Sequence, residues 1–169
     1  MNLFFRKPER PKLKKNQEWV WDYPRPPRLE PFTGHIRILF NGEVIADADS
    51  AWRVLETSHP PVYYIPQSSI AMKFLKPGAD KSYCEWKGLA HYYDIRVGDR
   101  SVSKVAWKYP DPVYPFVGIK DHLAFYAHLM DSCKINNDPV VPQPGNFYGG
   151  WITPNIIGPF KGGPGSMGW

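Results

Sequence analysis

The chain reads as a mainly β protein: a single domain with one short helix and an irregular, Gly/Pro-rich C-terminal arm. Three observations predict this. Apolar and polar residues alternate with a period of two through long stretches, most clearly from Leu89 to Val97. Asn41-Gly42 stands between two strand-like runs and is the pair best able to take φ > 0 at both centres of a hairpin turn. Aromatic residues make up 15% of the 169 positions, which exceeds the need of a core this size and suits pleated sheets with a stacking surface.

Taken in order, residues 1–31 are rich in proline and base, a composition that resists both helix and sheet. Trp19, Trp21 and Tyr23 interrupt it at a spacing of two, which puts them on one side of an extended segment, either as a strap across the domain or as a partner-binding motif. The domain spans 32–138. His35–Phe40 and Glu43–Ala48 form the hairpin, and Trp52–Glu56 and Val62–Ile65 the next strands. Ile70, Ala71, Phe74 and Leu75 fit a short amphipathic helix over 68–75, closed by Pro77-Gly78. Strands follow at 82–86, 89–97 and 100–109. Residues 119–130 are ambiguous, because the helical spacing of Ile119, Leu123, Tyr126 and Met130 competes with a short strand at 123–126. Residues 139–169 hold eight of the fourteen glycines and no acid. They are too apolar for a free linker (Phe147, Tyr148, Trp151, Ile156, Ile157, Phe160) and are expected to lie against the domain.

The net charge of +5 resides wholly in residues 1–15, and the remaining chain is neutral. A nucleic-acid-binding body would carry a basic face, so none is expected on the domain. Residues 1–15 alone could meet a protein or an anionic surface. The N-terminal apolar run Leu3-Phe4-Phe5 is too short for a signal-peptide core, and no stretch approaches a membrane helix. Isolated Cys84 and Cys133 offer neither a disulfide framework nor a C-x-x-C half-site, so a cytoplasmic location and no metal are expected.

Tests for chemistry exclude more than they admit. Asp47-Ala-Asp49 has the spacing that presents two carboxylates to Mg²⁺, but no Gly-Ser cradle and helix precede it. The run from Gly158 to Gly163 lacks the Gly-Lys-Ser/Thr order of a phosphate loop. No cofactor is expected. Cys84 could act as a nucleophile with a base such as His59 or His91, or it could be a small buried hydrophobe. Arg53, Glu56, Tyr63, Tyr64, Cys84, Trp86, Lys87, Tyr92, Tyr93, Trp107 and Tyr109 together have the composition of a small-molecule pocket, with aromatic walls and a few charges to orient an anionic or polar group. Arg53 and Glu56 could instead pair with neighbours across the sheet.

The runs from Arg53 to Pro66, Ser82 to Gly88, Trp107 to Pro112 and Phe147 to Trp151 resemble a large family of uncharacterised domains of unknown function, filed under a nucleotidyltransferase-like heading. The resemblance implies a β-tent, two antiparallel sheets leaning together, similar to methionine-R-sulfoxide reductases and the ligand-binding domain of cereblon. It also implies a strand rather than a helix at 123–126. Arg53, Glu56, Tyr64, Cys84, Lys87 and the Trp107-x-Tyr109-Pro run fall on its recurrent positions. Three functions follow in order: a small-ligand-binding module using Arg53, Glu56, Tyr64, Cys84, Trp86, Lys87, Tyr93, Trp107 and Tyr109; an enzyme using Cys84, or Glu56 with Lys87; an adaptor acting through its tails.

Overall fold

The computed structural model describes residues 6–169, so the Leu3-Phe4-Phe5 run lies outside the described residues. In chain order the strands are β1 (Glu18–Trp19), β2 (Arg28–Phe40), β3 (Glu43–Leu55), β4 (Val62–Pro66), β5 (Leu75–Cys84), β6 (Gly88–Val97) and β7 (Arg100–Lys108). They continue with β8 (His122–Phe125), β9 (Ser132–Ile135), β10 (Asp138–Pro139), β11 (Val141–Pro142), β12 (Trp151–Ile152) and β13 (Ile156–Ile157). Nine of them hydrogen-bond in the order β10-β9-β2-β3-β4-β8-β7-β6-β5, every pairing antiparallel and the ends left open.

The chain is mainly β, and the two leaning sheets are the two leaves of this one bent sheet. β10-β9-β2-β3-β4 and β8-β7-β6-β5 pair through Ile65 opposite Leu123 and Pro66 opposite His122, with Gln67 N–H donating to Asp121 O at 3.1 Å just beyond. So narrow a hinge lets the leaves fold toward each other. Ile36, Ile38, Phe40 and Ile45 of one leaf are then buried with Tyr93, Ile95, Val105 and Phe125 of the other. Their removal from water is the main force holding the leaves together. Where the hairpin tips meet, Asn41 Nδ2 donates to Val97 O at 2.8 Å and the Arg100 guanidinium lies 4.3 Å from the centre of the Phe40 ring. Asn41 and Gly42 take φ of 46° and 79°, as the hairpin reading requires.

Several elements differ from the sequence reading: the strand read at 82–86 is Leu75–Cys84, and the two read at 43–48 and 52–56 are one strand, Glu43–Leu55. No helix forms over 68–75. Gln67–Ser69 and Met72–Phe74 are single 3₁₀ turns, and Leu75 already belongs to β5. The ten residues between Pro66 and Pro77 are too few for a stable isolated helix. The backbone is drawn onto β3 instead, where Ala71 N–H donates to Ile45 O at 2.8 Å and Ile70 bridges to Ala46. Pro77-Gly78 then lies inside β5, where a register shift between Pro77 and Lys81 absorbs it. Residues 28–31, read as extension, are the first four of β2. At 122–125 the strand alternative holds.

The segment before β2 and the arm pack on each other and on the sheet. Trp19, Trp21 and Tyr23 are buried with Leu55 and Ile156. Val20–Asp22 is a turn rather than extended chain, so Val20 is buried beside them. β1 runs parallel to β13, and the indoles of Trp19 and Trp21 donate to Gly158 O and Pro159 O at 3.0 and 2.9 Å. Among the described residues no helix is long and apolar enough to cross a membrane.

Candidate functional site

Strand alternation sends successive side chains to opposite faces, and the sheet buries both. Tyr63, Ile65, Tyr93 and Phe125 face inward between the leaves, whereas Tyr64, Tyr92, Ala124 and Tyr126 form a second cluster on the other face with Trp107, Tyr109 and Phe116. A cavity of about 250 Å³ opens in this second cluster. It therefore sits on the outer face near the hinge and not between the leaves. Its wall is completed by Phe147 and Tyr148 of the arm. The arm approaches this closely only because residue 149 is glycine. It has φ of 76°, and a Cβ there would lie 2.5 Å from the Trp107 ring.

Of the residues expected to share a pocket, the cavity brings together Glu56, Tyr64, Cys84, Lys87, Trp107 and Tyr109. Arg53 and Tyr93 are elsewhere, a correction that follows from parity. Arg53 projects from β3 on the face opposite its cavity-lining neighbour Val54, where it meets Glu18, Glu30 and Tyr63, whereas Glu56 follows the end of the strand. Tyr93 is the inward neighbour of Tyr92. Trp86 occupies the β5–β6 turn and packs against the second cluster without lining the cavity. Sequence reasoning left His59, Tyr126, Phe147 and Tyr148 out of the pocket, and it weighed Tyr92 without placing it in the site. Tyr92 was within reach of the parity argument, being the cross-strand partner of Trp107. The arm residues carry no period that could have assigned them.

The polar groups of the cavity fall into two sets. Lys87 lies in the β5–β6 turn, which Val113 N–H clamps through Lys87 O at 2.9 Å. Its ammonium is 5.7 Å from the Tyr109 ring centre and 5.9 Å from that of Phe116. Burial works against its charge, but the attraction of Tyr64, Cys84 and Glu56 together with a hydrogen bond to Cys84 outweighs burial and raises its pKa. The Tyr64 phenol accepts from Trp107 Nε1 at 3.3 Å, which leaves its own proton to donate, and burial pushes its pKa up. Burial raises those of Tyr109 and Tyr126 too. Tyr64, Tyr109 and Tyr126 are therefore neutral, and the Tyr126 hydroxyl donates to Phe147 O at 3.0 Å.

The second set gathers where the β3–β4 loop meets the arm. Glu56 Oε2 lies 3.2 Å from Arg25 Nη2 and 3.5 Å from His59 Nδ1. His59 is 8% exposed, with its ring edge-on to Tyr148 at 4.8 Å. Its Nδ1 lies 3.0 Å from the carbonyl of Thr57, which can only accept, so the neutral ring carries its proton on Nδ1 and its lone pair on Nε2. Burial lowers the His59 pKa; the nearby Glu56 carboxylate opposes this only in part.

A pH dependence follows. The unfolded chain takes up the His59 proton near the ordinary histidine value, and the folded chain only at lower pH, so stability is lost as pH falls from about 6.5 toward the depressed native value. Unfolding free energies from denaturant titrations between about pH 7.5 and 5 should fall with pH by up to about 1.4 kcal/mol per unit. In His59→Asn this component should vanish. Undiminished pH dependence in the variant would assign it to another group.

The two thiols differ in setting. Cys84 is half-buried in the cavity wall, whereas Cys133 lies in the inner core, where burial pushes its pKa up to about 12. A thiol reagent should therefore modify one cysteine in the folded protein, Cys84 by peptide mapping, and both after unfolding. Modification of Cys133 in the native state would contradict the packing described.

The nucleotidyltransferase-like spacing finds no such centre. Asp47 and Asp49 are exposed on β3, Asp47 is 2.6 Å from His35 Nε2, and neither lines the cavity. No curated protein matches the chain. Residues 28–136, roughly two thirds of it, match a family described only as a domain of unknown function, DUF427, whose name carries a nucleotidyltransferase label. Nearly every cavity residue falls within the match; Phe147 and Tyr148 do not. With eight of the nine strands of the bent sheet and Tyr64, Cys84, Lys87 and Trp107 inside that span, the chain belongs to the DUF427 family.

Proposed function

We propose that this chain is a small-ligand-binding domain and that its ligand is anionic, held in the outer cavity against Lys87. One observation carries the reading: a lysine ammonium in an aromatic-walled cavity with no carboxylate in ion-pair contact among the described residues, Glu56 being engaged by Arg25. A lysine ammonium with no carboxylate in ion-pair contact is completed by an incoming anion. Native mass spectrometry of protein purified gently from its own source, beside Lys87→Met, tests it. A small molecule carried by wild type and absent from the variant supports the reading. A bare mass for both, across the concentrations tried, sinks it.

A second reading, an enzyme, is favoured by the presence of Cys84, Lys87 and His59 around one cavity. Cys84→Ser that still captures the ligand but no longer converts it would establish this, and unchanged conversion would remove Cys84 from the chemistry. The adaptor reading draws less support. Arg10 is engaged by Asp22 and, with Lys7, lies over the buried Trp19 ring, so part of the basic segment is docked on its own domain.

A further inference from the structure

We infer that the anion is a single-ring aromatic acid carrying an O–H or N–H donor away from its acid group. This rests on the anionic-ligand reading and adds to it a size, a shape and a second polar contact.

Size comes from the cavity, whose 250 Å³ falls below the ~300–1,000 Å³ of sites for drug-sized ligands. One ring with short substituents fills such a space. Shape comes from the walls. Trp107 lies between Tyr126 and Tyr92, with ring centres 4.6 and 6.4 Å away, and Tyr109 lies 6.3 Å from Tyr64. Planar walls of this kind favour a planar guest through offset or edge contacts.

The acid group belongs at Lys87, where the Tyr64 phenol also has a proton to give. The second contact belongs to His59. With Nδ1 committed to Thr57 O, its Nε2 is an acceptor that has no partner among the described residues, on a side chain 8% exposed in the cavity wall. His59 lines the cavity, and a hydroxyl or amino group on the ring would give this acceptor a partner there. Lys87 stands beside Phe116 while His59 stands beside Tyr148, so the two contacts address different parts of one ligand.

The test titrates wild type with benzoate, 4-hydroxybenzoate, 4-methoxybenzoate, cyclohexanecarboxylate and inorganic phosphate by calorimetry. The order expected is 4-hydroxybenzoate tighter than benzoate by about tenfold, methoxybenzoate without that gain, and cyclohexanecarboxylate weakest of the ring acids. The hydroxyl advantage should disappear in His59→Phe, and Lys87→Met should weaken every acid alike. The methoxy comparison needs no variant and stands even if His59→Phe fails to fold. Equal binding of methoxy and hydroxy acids, or of benzoate and cyclohexanecarboxylate, overturns the inference. If acids or phosphate bind in that indifferent way and depend on Lys87, the anionic-ligand reading survives alone. If no anion binds, both fall.

Discussion

Replacing Trp151 with alanine should cost about 3–5 kcal/mol of stability, the range for removing a fully buried indole. The residue comes from the Gly/Pro-rich arm, whose composition would ordinarily mark it as dispensable. Trp151 is nonetheless 1% exposed and sits in the inner core with its ring 5.6 Å from Tyr63. Its indole N–H donates to Phe125 O at 2.9 Å and its backbone N–H to Pro61 O at 2.8 Å. One residue thus ties the arm to β8 and to the loop before β4, on both sides of the hinge between the leaves. Trp151→Phe separates the terms, keeping a ring while orphaning the Phe125 carbonyl, and should cost about 1–3 kcal/mol. Urea denaturation measures both. A loss below about 1 kcal/mol for the alanine variant would mean that the arm adds little to the core.

The same residue shows what the sequence could and could not convey. Hairpins and meanders were legible because their signals are local: Asn41-Gly42 sets a turn by its own dihedrals, and the run 89–97 alternates because both of its faces are used. The arm has no period, so its apolar residues announced burial without an address. Partners for Trp151 and Tyr148 lie across the fold, at Phe125 and His59. At 68–75 the helical spacing was real but decided nothing, because a tertiary contact with β3 claimed the backbone.

The pocket was half legible for a related reason. Its composition could be read, but two-sided burial made aromatic content a poor guide to which face a residue serves. Tyr63 and Tyr64, like Tyr92 and Tyr93, are neighbours in sequence that end in different clusters. Parity alone would have separated Arg53 from Val54. It could not have shown that the cavity lies outside the leaves, because that depends on residues 109–119 and 147–148 covering the outer face.

Arg53 illustrates the structural role such a residue takes when it is not in the cavity. Its Nε donates to Glu30 at 2.6 Å, and its two terminal nitrogens grip Glu18 at 2.9 and 3.0 Å. Glu18 belongs to β1, so this guanidinium fastens the N-terminal segment, and through β13 the arm, to β3. Arg53→Met should destabilise by roughly 2–3 kcal/mol. The figure is below that of a fully buried pair because the Glu18 and Glu30 side chains remain 33% and 28% exposed. Adding Glu18→Gln to Arg53→Met should recover part of the loss, since it removes one carboxylate left without its partner, and a double-mutant cycle reads that coupling directly. The fold, not the cavity, should register the change: Arg53→Met should retain whatever small molecule wild type retains, in contrast to Lys87→Met. A folded Arg53→Met protein that loses the ligand would return Arg53 to the binding site and require the two faces of the sheet to communicate.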